Sequence, residues 1–89
     1  MAVYWQVAKQ GQRLMLADET REERIGGVRE TPRGFDAFAM TFGYEPERAR
    51  RDFASMDKAK AFVESFMPWE LYVSDKEISV ELAVRPLDG

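Results

Sequence analysis

Strict alternation of apolar and polar residues near both ends of the chain is the feature that most constrains its fold. One face of each alternating segment is apolar, through Val3, Trp5 and Val7 in residues 1–8 and Ile78, Val80, Leu82 and Val84 in residues 77–85. A repeat of two residues places side chains alternately on the two faces of a β-strand. Both segments are therefore predicted to be half-buried strands of a sheet.

Further strands are predicted between these two segments. They cover residues 13–17, 25–31 and 35–42, and turn residues such as Gly11 and Pro32 lie between them. Residues 1–8 and 13–17 are expected to pair as a β-hairpin. Residues 18–24 contain no apolar side chain and are predicted to be a solvated loop or a protruding hairpin tip.

Two of these strands carry additional information in their side chains. Gly26 and Gly27 indicate a bulge, a sharp bend, or close approach by another backbone. Residues 35–42 are predicted to form a central strand in which Phe38, Met40 and Phe42 share one face. The phenylalanines of the chain are mostly expected in the core.

Residues 46–67 are compatible with two architectures. Apolar residues spaced by three and four from Ala49 to Phe66 suit one long helix that begins at Pro46. Alternatively, Ser55 caps a shorter helix over residues 56–67, and Pro68 ends it. We prefer a short strand or extended arm at residues 48–53, followed by the shorter helix.

These elements predict an α+β fold with an antiparallel sheet of about five strands. One principal helix is expected to pack on one face of the sheet through Ala59, Phe62, Val63 and Phe66. A chain of 89 residues has room for one hydrophobic core. We expect a single compact domain over residues 1–89 with a flexible tail at 86–89. Neither a secretory leader nor a membrane-spanning segment is apparent, so a cytoplasmic location is expected.

The absence of Cys and His excludes many chemistries. Disulfide scaffolds, thiol nucleophiles, Ser-His-Asp triads, zinc fingers and iron–sulfur clusters all require these residues. Carboxylates remain, and four of them form an acidic loop that consists of Asp18, Glu19, Glu22 and Glu23. Their spacing does not match a calcium loop, and Arg21 and Arg24 lie among them. No metal, cofactor or enzymatic activity is therefore expected.

Charge is distributed unevenly along the chain. The net charge is −3, but eight of the nine arginines lie within residues 1–51. Arg48, Arg50 and Arg51 form a candidate arginine cluster for phosphate or carboxylate, with Arg29 and Arg33 expected nearby in the sheet. The alternative is that Glu45, Glu47 and Asp52 neutralise this cluster.

A sheet that is covered on one face leaves the other face available for a partner. Trp5, Trp69 and Tyr72 are the candidate interface aromatics, because Trp and Tyr are frequent at interfaces. Edge strands can also pair across a two-fold axis, so homodimerisation is a further expectation.

The preferred functional interpretation is a non-enzymatic protein-interaction module. The acidic loop and the arginine cluster would contact a protein or a nucleoprotein complex. By analogy of class, phage and mobile-element inhibitors of bacterial defence (CRISPR-type) or nucleic-acid-processing complexes imitate phosphate with carboxylates. The alternative is a small nucleic-acid-binding domain that uses the arginine cluster, although a pI of about 5.0 argues against direct binding of nucleic acid.

Overall fold

The computed structural model describes residues 2–72 and 79–86. In chain order the elements are strands β1 (Ala2–Ala8), β2 (Gly11–Ala17), β3 (Glu22–Thr31), β4 (Gly34–Ala39) and β5 (Ala49–Phe53), helix α1 (Met56–Ser65) and strand β6 (Ser79–Arg85). Short 3₁₀ helices cover Pro46–Arg48 and Pro68–Leu71. The predictions for Ile78 and for most of the tail, residues 87–89, lie outside the described residues.

The six strands form one mixed sheet in the order β5-β4-β3-β2-β1-β6. Strands β1 to β5 are an antiparallel meander, whereas β6 pairs in parallel with β1. The predicted α+β fold with one principal helix is confirmed. The predicted antiparallel sheet of about five strands is roughly right, but the sheet has six strands and includes one parallel pair. The chain crosses from one edge of the sheet to the other between β5 and β6, and this long connection sets the direction of β6. Alternation within a strand does not encode that direction.

Residues 46–67 adopt the second of the two predicted architectures. Strand β5 precedes a separate helix, and the Ser55 side chain accepts a hydrogen bond from the Lys58 backbone nitrogen at 3.2 Å, as an N-cap does. Helix α1 ends at Ser65, two residues before the predicted end. Ala59 and Val63 are buried, and the side chains of Phe62 and Phe66 pack against the core.

The helix lies close to the sheet because the strands beneath it carry small residues. Ala37 and Ala39 of β4 are buried there. A Cβ atom on Gly26 of β3 would lie 2.7 Å from Val63 Cγ1 of α1. The register of β2 and β3 shifts between Leu14 and Met15, which confirms the bulge indicated by the glycines. The core therefore lies between α1 and the face that carries these small residues.

Two strand predictions are corrected by the same packing. Strand β4 ends at Ala39 instead of residue 42, and Ala37 and Ala39 face the helix where Phe38 and Met40 were expected. The close approach of the helix favours small side chains at these two positions of β4. Strand β3 begins at Glu22, so the predicted loop at 18–24 is shorter. The charged residues 22–24 belong to this strand, because their backbone pairs with β2.

No helix in the described part of the chain combines the length and the apolar character needed to span a membrane.

Candidate anion-binding site

Strand register shows which side chains share the face of the sheet opposite α1, here called the open face. Directly paired residues project to the same face. Arg13 of β2 is opposite Gly27 of β3, and Gly27 is opposite Phe38 of β4. These three residues form one row across the open face, because Gly26, their neighbour, faces the helix.

Two more arginines of β3 lie on the open face in other rows. Arg29 is two residues beyond Gly27 and is paired with Gly11 and Asp36. Arg24 is paired with Met15, and its guanidinium carbon lies 5.4 Å from the centroid of the Phe38 ring. Residues 24 and 29 would face opposite ways in a regular strand, and the bulge between them brings both arginines to the open face.

These residues surround a groove of about 480 Å³. Its lining includes Lys9, Arg13, Arg24, Gly27, Arg29 and Phe38, a set that we call the arginine groove. Gly27 forms part of its floor, and a Cβ atom there would lie 3.1 Å from Phe38 Cε1. The glycine therefore allows the phenylalanine ring to lie against β3, between two arginine-bearing positions.

The cationic side chains of the arginine groove form no ion pair with a carboxylate in the described part of the chain. None of its lining residues is acidic. The ion pairs among residues 2–72 and 79–86 join Arg21 to Glu23 and Arg48 to Glu45, both outside the groove. Asp36 pairs with Arg29 across the strands, but its Oδ1 accepts a hydrogen bond from the Asp52 backbone nitrogen on β5 at 3.1 Å. The groove guanidinium groups are exposed and keep their donors available for an anion.

The arginine cluster predicted from the sequence is divided between different environments. Arg48 is half-buried, donates to the Met40 carbonyl oxygen at 3.0 Å and has its guanidinium 5.2 Å from the Phe66 ring centroid. The guanidinium of Arg50 lies over the Phe53 ring at 5.3 Å. Arg51 follows Arg50 in a strand, and alternation directs the two side chains to opposite faces.

The other two arginines considered with that cluster also separate. Arg29 lines the arginine groove, whereas Arg33 is exposed in the turn between β3 and β4 and does not line it. The five arginines of the sequence hypothesis therefore do not form one patch.

Most carboxylates of the acidic loop hold the local structure. Asp18 Oδ1 accepts hydrogen bonds from the Thr20 nitrogen at 2.8 Å, the Thr20 hydroxyl at 2.9 Å and the Arg21 nitrogen at 2.9 Å. The bonds from Thr20, followed by the bond from Arg21, lower the pKa of Asp18 below its ordinary value. Glu22 accepts from the Tyr4 hydroxyl at 2.7 Å, and Glu23 pairs with Arg21 at 3.3 Å.

Glu19 is the remaining member of the acidic loop. It is exposed, and its side chain forms no hydrogen bond or ion pair within the described chain. No group of three acidic residues in that part of the chain converges in a way that could hold a metal ion.

The three candidate interface aromatics differ in accessibility. Trp5 is fully buried, and its Nε1 donates to Glu64 Oε2 at 3.0 Å, so its indole belongs to the core. Trp69 and Tyr72 are partly buried and pack against the core. Burial, followed by the negative charge of Glu23, raises the pKa of Tyr72 above its ordinary value.

Sequence reasoning missed Lys9, Arg13, Arg24, Gly27 and Phe38 as members of one site. A usable signal was present in the predicted hairpin, because Arg13 alternates with the apolar Leu14 and so had to lie on the other face. Placing Arg24 beside it required the position of the bulge, which two adjacent glycines indicate only approximately.

Comparisons with known proteins add no further constraint, because no protein-family model, curated protein or solved structure matches this chain. The candidate site is defined by its geometry and its charge.

Proposed function

We propose that this protein is a non-enzymatic module that binds nucleic acid through the arginine groove. The observation that carries the proposal is the convergence of Arg13, Arg24 and Arg29 beside Gly27, without a carboxylate partner in the described chain. Guanidinium groups bind phosphate oxygens bidentately, and such charge-assisted hydrogen bonds are among the stronger ones in proteins. Phosphodiester groups are the anions that this arrangement would bind.

The shape of the surface favours an extended polyanion over a small anion. The described chain is flat, with principal dimensions of 38 × 33 × 17 Å. The groove arginines lie on β2 and β3, which are central strands of the sheet. Their donors therefore face a broad surface, which suits a ligand that runs across the strands. The lining offers guanidinium, ammonium and amide donors but no acidic residue, which supports binding in preference to acid–base catalysis.

The net charge of −3 is compatible with this proposal because the charges are segregated. Asp18, Glu22 and Glu23 contact other residues near the β2–β3 turn, whereas every charged residue that lines the groove is a cation. Binding to a polyanion depends on the local potential at the contact surface.

We expect the affinity for nucleic acid to be modest and to depend strongly on salt concentration. Three phosphate contacts correspond to a slope of about −2.7 in a plot of log K against log salt for duplex DNA.

Fluorescence anisotropy with labelled oligonucleotides at low salt tests the proposal. Arg29→Glu should weaken binding about tenfold or more, since a charged hydrogen bond contributes about 1.5–3 kcal/mol and each 1.4 kcal/mol is tenfold. Arg33→Glu is the matched control, because it makes the same charge change in the exposed turn beyond β3. Equal effects of the two variants, or no binding by the unaltered protein, would contradict a role for the groove.

The same measurement separates this proposal from the interpretation preferred on sequence, an inhibitor that binds a bacterial defence complex through its acidic loop. An inhibitor that imitates phosphate would not bind nucleic acid, and Arg29→Glu would not weaken its action. The acidic loop supports this alternative less well, because Asp18, Glu22 and Glu23 already contact other residues. Homodimerisation stays a prediction, which sedimentation of the unaltered protein can measure.

A further inference from the structure

The aromatic residues of the open face bear on which form of nucleic acid the arginine groove binds. All eleven aromatic side chains of the chain belong to described residues. Register places two of them, Tyr4 and Phe38, on the open face, because Tyr4 pairs with Met15 and Phe38 pairs with Gly27. Proteins that bind single strands use exposed aromatic rings as platforms on which bases stack.

Both rings are already in contact with other groups. Tyr4 is 3% exposed, its hydroxyl donates to Glu22, and the Arg85 guanidinium carbon lies 3.7 Å from its ring centroid. Phe38 packs against Gly27, and Arg24 lies over its ring. Tyr4 therefore offers no open surface to a base, and Arg24 already lies over the ring of the half-buried Phe38. Contacts from the groove are therefore dominated by guanidinium groups, which bind the phosphodiester backbone.

The most exposed aromatic side chains lie away from the groove. Phe42 and Tyr44 follow β4, and the Phe42 and Tyr72 rings form an edge-type contact with 5.2 Å between their centroids. Tyr44 is 92% exposed, but it lines a separate concavity that shares no lining residue with the arginine groove. Tyr44 therefore serves as an internal control for stacking outside the groove.

The spacing of the groove cations fits a duplex. Arg24 and Arg29 are five residues apart on β3, which corresponds to about 16 Å at about 3.3 Å per residue before the bulge shortens it. The major groove of B-DNA is about 12 Å wide. Two long arginine side chains at this separation can reach the phosphates on both sides of such a groove. The major groove of duplex RNA is too narrow and deep for this contact.

Resting on the proposed function, we infer that the arginine groove binds the phosphate backbone of double-stranded DNA in preference to single strands and to duplex RNA. The preference for duplex DNA follows from the occupied rings and the arginine spacing, whereas the proposed function rests on groove guanidinium groups without a carboxylate partner in the described chain. The two can therefore fail separately.

Anisotropy of the full chain with three labelled ligands tests the inference: a 20-bp DNA duplex, one of its strands, and an RNA duplex of the same sequence. We expect the DNA duplex to bind at least tenfold more tightly than either of the others. Tyr44→Ala should leave all three affinities within twofold. Equal or tighter binding of the single strand, or its selective loss in Tyr44→Ala, would overturn the inference while the proposed function stands. Absence of binding to all three ligands would overturn both.

Discussion

Gly26 and Gly27 are neighbours in the sequence, yet they open space on opposite faces of the sheet. A Cβ atom on Gly26 would meet Val63 of the helix at 2.7 Å, whereas one on Gly27 would meet the Phe38 ring at 3.1 Å. The first glycine allows the helix to approach the sheet. The second allows a ring to lie beneath exposed arginines. One pair of adjacent glycines therefore provides space for the core on one face and for the candidate site on the other.

The two faces differ in what their side chains contribute to free energy. The face beneath α1 buries Trp5, Leu14 and Ile25 almost completely, and burial of such side chains is the main source of stability in a small domain. On the open face, Arg13, Arg24 and Arg29 of the arginine groove are exposed and have no carboxylate partner in the described chain, so they contribute little to stability. We therefore expect substitutions on the covered face to change the free energy of unfolding and substitutions on the open face to change affinity.

The largest expected effect is that of Trp5→Ala on the free energy of unfolding. Removing a fully buried indole is expected to lower the free energy of unfolding by about 3–5 kcal/mol, and it also removes the donor to Glu64. Urea denaturation followed by circular dichroism measures this loss. Arg24→Ala on the open face should change stability by about 1 kcal/mol or less, the scale of its contact with Phe38. Similar losses in the two variants would contradict the assignment of stability to the covered face.

An intermediate loss of unfolding free energy is expected for Gly26→Ala. The added methyl group would overlap Val63 Cγ1 and crowd the Phe38 carbonyl oxygen at 3.0 Å, and overpacking of this kind costs about 1–3 kcal/mol. Thermal and urea unfolding measure the effect. Val63→Ala in the same chain removes the Cγ1 contact, so the double variant should lose less than the sum of the two single variants. If the loss in the double variant equalled the sum of the two single losses, residues 26 and 63 would not be in contact.

A smaller effect on stability is expected for Gly27→Ala, the matched change on the other face. The Phe38 ring can shift because it is only half-buried, and alanine restricts the unfolded chain more than glycine does. We expect a change of about 1 kcal/mol or less in unfolding free energy, together with weaker binding of duplex DNA because the methyl group enters the groove. A loss of stability as large as that of Gly26→Ala would remove the distinction between the two glycines.

The helix and most strands could be predicted because their signals are local. Ser55 and Pro68 mark the ends of the helical segment, and alternation marks β1 and most of β4. The parallel pairing of β6 could not be predicted, because it depends on how the chain crosses the sheet. The face of Phe38 was also assigned wrongly to the core. Its size suggested burial, whereas the small Ala37 and Ala39 are the residues that a close helix requires.

The candidate site was largely hidden for a related reason. Arg24 and Arg29 differ by an odd number of residues, so regular alternation separates them. The bulge opposite Leu14 and Met15 brings them together, and its position depends on pairing with β2. Conversely, Arg48, Arg50 and Arg51 are close in sequence and suggested a patch, yet secondary structure separates them. Proximity in sequence was a poor guide to both sets of arginines.

The smallest expected effect concerns Asp18, at the turn that joins β2 and β3. Hydrogen bonds from Thr20 and Arg21 lower its pKa in the folded chain, so the ionised carboxylate contributes stability above the unfolded pKa of about 3.9. This contribution is lost as the pH falls through the lower folded pKa.

Asp18→Asn is the appropriate comparison, because its amide oxygen can still accept the same bonds but does not titrate. The stability advantage of the natural chain over this variant should therefore shrink between about pH 5 and pH 2 in urea titrations. A constant difference across that range would show that the turn does not stabilise the charged form. DNA affinity near neutral pH should be the same in both proteins, because this carboxylate contacts its own turn and does not line the groove.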